Sequence, residues 1–368
     1  MTYLESGVDY SAMDPFKLAC QQRARPTDRN IERFGLTFVP GSRGESVQLV
    51  YGHVASMLHP YFGHVEEGLG TKSLVADAMY AQGFRSFYDN IAKCTVAMIV
   101  NDMVTLGVLP VTVAMHLAVA ESGWFGDRVR SGDLINGWGD ACDLARCVWS
   151  GGETPTLQGL IVPGTALLSG SAFGMVKRGH SPFDPANIAE GDAIVVVESS
   201  GIHANGLTLA RRIAEQLPRK YLTELPDGRT YGEHLLDATH IYLGVVEDCV
   251  DAGVRVHYTV NITGHGARKF MRAHQPWTYV IDTLPTQLQI FDFLQERGFV
   301  TDQEAYGNLN MGMGFALFVP SSDVQKVVAA ASALGQRAFL AGHIEAGPKR
   351  VVIRPKGIEF AANTLVVR

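Results

Sequence analysis

The 368-residue chain has no Cys-x-x-Cys pair and an odd number of cysteines: Cys20, Cys94, Cys142, Cys147 and Cys249. That excludes the common zinc-ribbon and thioredoxin-type motifs and points to reduced, mostly buried thiols. It also lacks an uninterrupted apolar run long enough to span a bilayer, and Met1 to Lys17 reads polar and acidic, so neither a membrane span nor a secretory leader is expected and the location is read as cytoplasmic. No excess of basic residues is present. The net charge is -6 with Lys and Arg scattered, which leaves no face for nucleic acid or an anionic membrane. Low-complexity tracts and short repeats are missing, which argues against a solenoid or a disordered scaffold.

What remains is the composition of a globular chain, 46% apolar and 18% charged, long enough for two domains. Apolar periodicity predicts strands over Ser46 to Gly52, Leu74 to Ala78, Val111 to Ala118 and Thr165 to Val176, with helices over Ile91 to Leu106 and Gly126 to Arg146. The Pro-, Gly- and Asn-containing stretch Arg178 to Gly191 reads as a linker, which places the domains at 1–177 and 178–368. Beyond it come a strand over Ala193 to Val197, helices over Leu207 to Gln216 and Gly232 to Asp251, and a strand over Thr278 to Ile281. A helix over Leu288 to Arg297, a strand over Gly314 to Val319, a helix over Asp323 to Gly335, and strands over Phe339 to Ile344 and Val351 to Ile353 follow. The alternation is an α+β, α/β-like pattern in both halves.

Five clusters set small residues beside a polar group where ligand-facing loops lie. Glu67-Gly68-Leu69-Gly70-Thr71-Lys72 joins two glycines, a hydroxyl, a cation and a carboxylate; it lacks the P-loop order, and a plain turn is an equal reading. Val100-Asn101-Asp102-Met103 places an amide and a carboxylate in an apolar helix, where Asp102 needs a partner. Ser150-Gly151-Gly152-Glu153-Thr154 ends a strand with a carboxylate suited to Mg²⁺, or is a solvated turn. Ser199-Ser200-Gly201-Ile202-His203-Ala204-Asn205-Gly206 ends one strand and opens a helix whose amides can receive an anion. There His203 suits acid–base chemistry, although a capping histidine is the commoner occurrence. Asn261-Ile262-Thr263-Gly264-His265-Gly266-Ala267-Arg268 is a second turn of that kind. The related Asn310-Met311-Gly312-Met313-Gly314 reads as a packing feature.

In this order, and starting at Gly7-Val8-Asp9, the clusters resemble the aminoimidazole ribonucleotide synthetase (phosphoribosylformylglycinamidine cyclo-ligase) family over nearly the whole chain, with Thr239 and Ile241-Tyr242 as further matches. The resemblance implies a two-domain PurM-like fold whose N-terminal domain forms a β-barrel with that of a second subunit in a homodimer. It implies an ATP-dependent closure of the imidazole ring of a small ribonucleotide, with ATP and Mg²⁺ as cofactors in a cleft between the domains. On that reading Glu67, Asp102 and Glu153 face the metal, and Gly68, Gly70, Thr71 and Lys72 touch phosphates. Asn101, Gly151, Gly152 and Thr154 complete the nucleotide side, and Ser199, Ser200, His203, Asn205, Gly206, Thr263, Gly264 and His265 the substrate side. Asp102, His203 and Lys72 are the catalytic candidates.

The departures from the family pattern are specific. Glu67 and Cys94 stand where aspartates are expected, Met115 or a neighbour and Leu167 replace acidic residues, and Gly307 replaces an arginine. His265 lies displaced from the family's imidazole position, now Asn261. The glycine-rich loop expected between Pro26 and Gly44 is not evident. Two other readings therefore stand beside the first: an ATP-dependent enzyme of the same scaffold with a different amide, amidine or phosphate acceptor, and a noncatalytic paralogue.

Overall fold

The computed structural model describes residues 10–38, 50–52 and 61–365. Gly7 to Asp9, most of the expected strand at 46–52 and part of the 26–44 region lie outside the described residues. The chain divides into two compact units, one of Met1–Met103 with Val108–Ser181, the other of Val104–Gly107 with Pro182–Arg368.

The first unit runs α1 (Tyr10–Ala24), β1 (Leu36–Phe38), β2 (Val50–Gly52), β3 (Phe62–Gly68), α2 (Lys72–Tyr80), α3 (Tyr88–Met103), β4 (Val108–Val119), α4 (Arg128–Leu144), β5 (Val148–Glu153) and β6 (Ala166–Val176). Its main sheet has the order β3-β6-β4-β5, antiparallel except for the β4/β5 pair. On one face Val113, Leu117, Ala166, Leu168 and Ala172 are buried. Helix α3 is buried almost all round, from Ile91 and Ala92 through Val96 and Ile99 to Val100 and Met103, as its apolar sequence requires. The opposite sheet face leaves Phe62, Leu167 and Phe173 exposed.

The second unit runs β7 (Ala193–Glu198), α5 (Leu207–Gln216), α6 (Tyr231–Leu235), α7 (Leu243–Asp251), β8 (Tyr258–Asn261), β9 (Trp277–Ile281), α8 (Gln289–Gly298), α9 (Asp302–Asn308), β10 (Met313–Val319), α10 (Val324–Ala333), β11 (Ala338–Ala346), β12 (Arg350–Ile353) and β13 (Ile358–Ala361). Its sheet has the order β13-β12-β9-β11-β7-β10-β8, with only β12/β9 parallel. Every residue of β10 is buried, which is why that segment reads as a continuous apolar run.

Two expected elements are corrected. Leu74 to Ala78 is not a strand but part of helix α2: Lys72, Val75, Ala76 and Met79 are buried at helical spacing, a longer period than a five-residue window exposes. Gly232 to Asp251 is not one helix but two, interrupted over residues 236–242. There Arg229 grips the Asp237 carboxylate at 2.6 and 3.1 Å, and the Ala238 carbonyl accepts from Ser200 Oγ at 2.5 Å. These tertiary partners take groups that a continuous helix would otherwise use or leave to solvent.

Candidate functional site

In the first unit, Gly68 ends β3, Leu69 is buried with its N–H on the Leu168 carbonyl at 3.0 Å, and Thr71 is the residue from which α2 starts. The hexamer is thus a strand-to-helix turn, with the amides at the N-terminus of α2 at its end. The Lys72 side chain does not stand open on that turn. It is fully buried, with Nζ 3.1 Å from the equally buried Cys94 Sγ on α3.

Strand registers set the remaining residues of this unit. Glu67, Gly170, Met115 and Gly152 share one transverse row of the sheet, and Gly68, Ser169, His116 and Glu153 share the next. Successive rows point to opposite faces, so Glu67 faces the helix-covered side and Glu153 the open one. Three strand spacings, roughly 14 Å between Cα positions, separate them. On the open row Ser169 Oγ and His116 Nδ1 are 3.3 Å apart. Gly152 is obligatory: a Cβ there would stand 1.9 Å from the Met115 carbonyl oxygen. Glu153 Oε1 accepts from Thr154 N at 3.1 Å, and Trp149 Nε1 donates to the Gly151 carbonyl at 3.0 Å. Asn101 is buried and Asp102 half-buried in the last turn of α3. The eight residues from Cys94 to Asp102 correspond to about 12 Å of helix axis, so Lys72 and Asp102 mark different stretches of α3. A carboxylate at a helix C-terminus sits in an unfavourable field that a cation offsets.

Among the described residues, no three His, Cys, Asp or Glu side chains gather as a metal site. Glu67, Asp102 and Glu153 therefore do not form a ready-made ligand set. Mg²⁺ bound to phosphates needs only one or two protein carboxylates, a smaller demand than a ready-made cage.

In the second unit, β7 and β8 flank β10 and end together, with Glu198 opposite Met313 and Asn261 opposite Phe315. The two remaining clusters therefore open from one end of one sheet. Ser200 N donates to His203 Nε2 at 3.3 Å; His203 is 2% exposed and holds φ +63°. Asn205 and Gly264 meet, since a Cβ on Gly264 would be 3.5 Å from Asn205 Oδ1. Thr263 is buried and accepts from Lys269 Nζ, whereas His265 is exposed and precedes the short 3-10 helix Gly266–Arg272. Gly206 leads into α5.

The packing reading of Asn310 to Gly314 is right for Gly314, whose absent side chain makes room for Tyr242: a Cβ would lie 1.7 Å from its hydroxyl, which donates to the Glu198 carbonyl at 2.9 Å. Burial pushes the Tyr242 phenol well up, with Glu198 adding to the effect. Asn310 itself does more, bonding Ser199, Gly201 and Gly312. Residues that sequence reasoning missed include Lys269, for which its place after Arg268 was the available signal, and Asp237, whose Cβ lies 3.6 Å from where a Gly201 side chain would begin. Asp77 and Arg130 had no signal at all, being 53 residues apart yet 3.2 Å in contact.

The N-terminal domain model of the AIR synthase related proteins matches residues 66–176 and the C-terminal domain model residues 189–354. A phosphoribosylformylglycinamidine cyclo-ligase of Carboxydothermus hydrogenoformans is 30% identical, covering 96% of this chain and 98% of its own. That of Methanothermobacter thermautotrophicus is 31% identical over 94% of both. Among solved structures, E. coli HypE, a hydrogenase maturation protein, aligns with TM-score 0.60 at 16% identity, covering 95% of this chain and 98% of that one. Thiamine-monophosphate kinase of Stenotrophomonas maltophilia gives TM-score 0.60 at 16% identity, covering 92% and 97%. These two likenesses show the fold, a two-domain α+β arrangement. No described helix is long and apolar enough to cross a membrane.

Proposed function

The chain belongs to the AIR synthase related protein family, and we propose that it is an ATP-dependent cyclo-ligase closing the imidazole ring of aminoimidazole ribonucleotide from formylglycinamidine ribonucleotide in the cytoplasm. The observation that carries this is the similarity to named cyclo-ligases along almost the full length of both chains. In the proposed division, 1–177 binds ATP and dimerises, and 178–368 holds the ribonucleotide.

The reaction transfers a phosphoryl group to the formyl oxygen, an amidine nitrogen attacks that carbon, and phosphate leaves. Positioning and charge neutralisation dominate such a step. The Leu69 amide of the turn is held by the Leu168 carbonyl, which leaves the Gly70 and Thr71 amides to meet phosphate oxygens, and Lys72 would join them only by leaving Cys94. A divalent cation would supply charge neutralisation, with Glu67, Asp102 or Glu153 as its protein ligands. Asn101, Gly151, Gly152 and Thr154 shape the nucleotide side. Ser199, Ser200, Asn205, Gly206, Thr263, Gly264 and His265 border the ribonucleotide, with Lys269 beside Thr263 as a phosphate contact and His203 as the group that moves a proton. The open sheet face with Phe62, Leu167 and Phe173 is the proposed contact with a second copy.

Cys94 against Lys72, where the family places an aspartate, favours one second reading: the same phosphoryl transfer to a different acceptor. Incubation with formylglycinamidine ribonucleotide, ATP and Mg²⁺, following ADP and the imidazole product, tests both. The first reading expects the two products in equal amounts. Nucleotide binding without imidazole product removes it and leaves the second, and no nucleotide binding removes both in favour of a noncatalytic paralogue.

A further inference from the structure

We propose that Lys72 and Cys94 are an oxidative modification site, at which a covalent Nζ–O–Sγ bridge ties the first residue of α2 to the middle of α3. Nζ and Sγ are 3.1 Å apart, and both side chains are fully buried. An oxygen atom fits between them with little movement, whereas a direct S–N bond would require them to close to about half that separation. Burial sets the course of oxidation. A bulky thiol such as glutathione cannot enter a packed interior to capture an oxidised sulfur, while dioxygen and hydrogen peroxide are small enough to reach it. The group that the geometry sets against the sulfur is the Lys72 amine.

The chemistry balances with dioxygen as the oxidant. The thiol and the amine each lose one hydrogen, one oxygen atom enters the bridge, and the other leaves with both hydrogens as water. Sulfur and nitrogen each give up an electron pair, and dioxygen accepts all four electrons. With hydrogen peroxide, two molecules are consumed and three waters released. Once formed, the bridge holds the turn that follows β3 against α3 and withdraws the Lys72 nitrogen from any other partner. Its formation does not depend on the proposed cyclo-ligase activity.

The test uses the full-length protein treated with hydrogen peroxide or with dithiothreitol, denatured, weighed intact and mapped with trypsin. The expected oxidised product is about 14 Da heavier, resists cleavage after Lys72, yields one linked peptide containing Lys72 and Cys94, and reverts with dithiothreitol. Cys94→Ser and Lys72→Met should each abolish the linked peptide. The wild-type map decides by itself if either variant fails to fold. Cys94 carrying about 16 or 32 Da with Lys72 still cleavable overturns the proposal. So does a product about 2 Da lighter, the mark of a direct S–N bond, or a Cys94 that stays fully alkylatable after unfolding.

Discussion

Asn310 and Ser199 are 111 residues apart in sequence and joined by a 2.9 Å hydrogen bond between Oδ1 and Oγ, both buried. The same amide oxygen accepts from Gly312 N at 2.9 Å, and Nδ2 donates to the Gly201 carbonyl at 3.0 Å. One side chain thus ties the start of β10 to the loop that leaves β7. Asn310→Ala strands buried groups on both loops and is expected to cost about 3 kcal/mol, against about 1 kcal/mol for Ser199→Ala. Because the two share a bond, the double variant should lose about 1 kcal/mol less than the sum of the singles in urea unfolding. Strict additivity would show that the amide acts through its backbone contacts alone.

A second network yields a pH signature. The Asp77 carboxylate accepts from the Tyr88 hydroxyl at 2.9 Å and from Arg130 at 3.2 Å, while its Oδ2 is buried without a hydrogen-bond partner among the described residues. Burial outweighs the help from Tyr88 and Arg130, with nearby Asp127 opposing ionisation further, and lifts this carboxyl from 3.8 to about 6. A folded-state value above the unfolded one means that the stabilising contribution is complete below 3.8 and lost as pH rises through about 6. Asp77→Asn, which keeps an acceptor oxygen, should therefore gain on the wild type by roughly 2 to 3 kcal/mol between about pH 4 and pH 7. Urea midpoints measured at both ends of that range check it, and a constant difference across the range would rule it out.

Phe62 and Phe173 stack at 5.5 Å with ring planes 19° apart, 51% and 44% exposed, on the sheet face away from α3, one end of which is covered where Val148 and Met175 pack with Ile31, Leu36 and Phe38. If a second copy covers that face, Phe173→Asp places two charges in the buried interface, one from each copy, and should convert the dimer to a folded monomer. Light scattering with unchanged circular dichroism measures this. A wild-type monomer, or a dimer indifferent to the substitution, would refute the assigned interface.

Helix α3 was legible because Val96, Ile99, Val100 and Met103 recur at helical spacing, and β7 and β10 because each is a short, nearly unbroken apolar run of strand length. Strand β3 carried no such signal: Phe62, His64 and Glu66 are exposed, and the residues between them only half-buried. The break at 236–242 was invisible because periodicity reads only apolar spacing: Ser200 bonds Ala238 from 38 residues away, outside the sampled window, and Arg229 acts on Asp237 from eight residues away through charge. The glycine clusters marked the turns at Gly70, Gly206 and Gly264, whose backbone positions follow from local sequence. What local sequence could not convey was which side chain fills each turn from below, and Cys94 beneath Lys72 is the clearest instance.

His203 can be assigned either to the chemistry or to the loop, and the geometry separates the two. Ser200 N donates to its Nε2, so in this arrangement that nitrogen is an acceptor and the ring caps its own loop; the backbone at φ +63° also needs a residue that tolerates the left-handed region. Asparagine tolerates that region and offers an acceptor oxygen to the loop, but it cannot carry a proton near neutral pH. If His203 moves a proton in ring closure, His203→Asn should lower kcat roughly a hundredfold and flatten one limb of its pH profile, with ATP affinity unchanged. If it only caps the loop, kcat should survive in the Asn variant while His203→Ala loses stability. Steady-state kinetics of the Asn variant across pH, beside the unfolding midpoints of both variants, therefore assign the residue to one role, because a structural histidine has no reason to reshape the pH profile of a correctly folded enzyme.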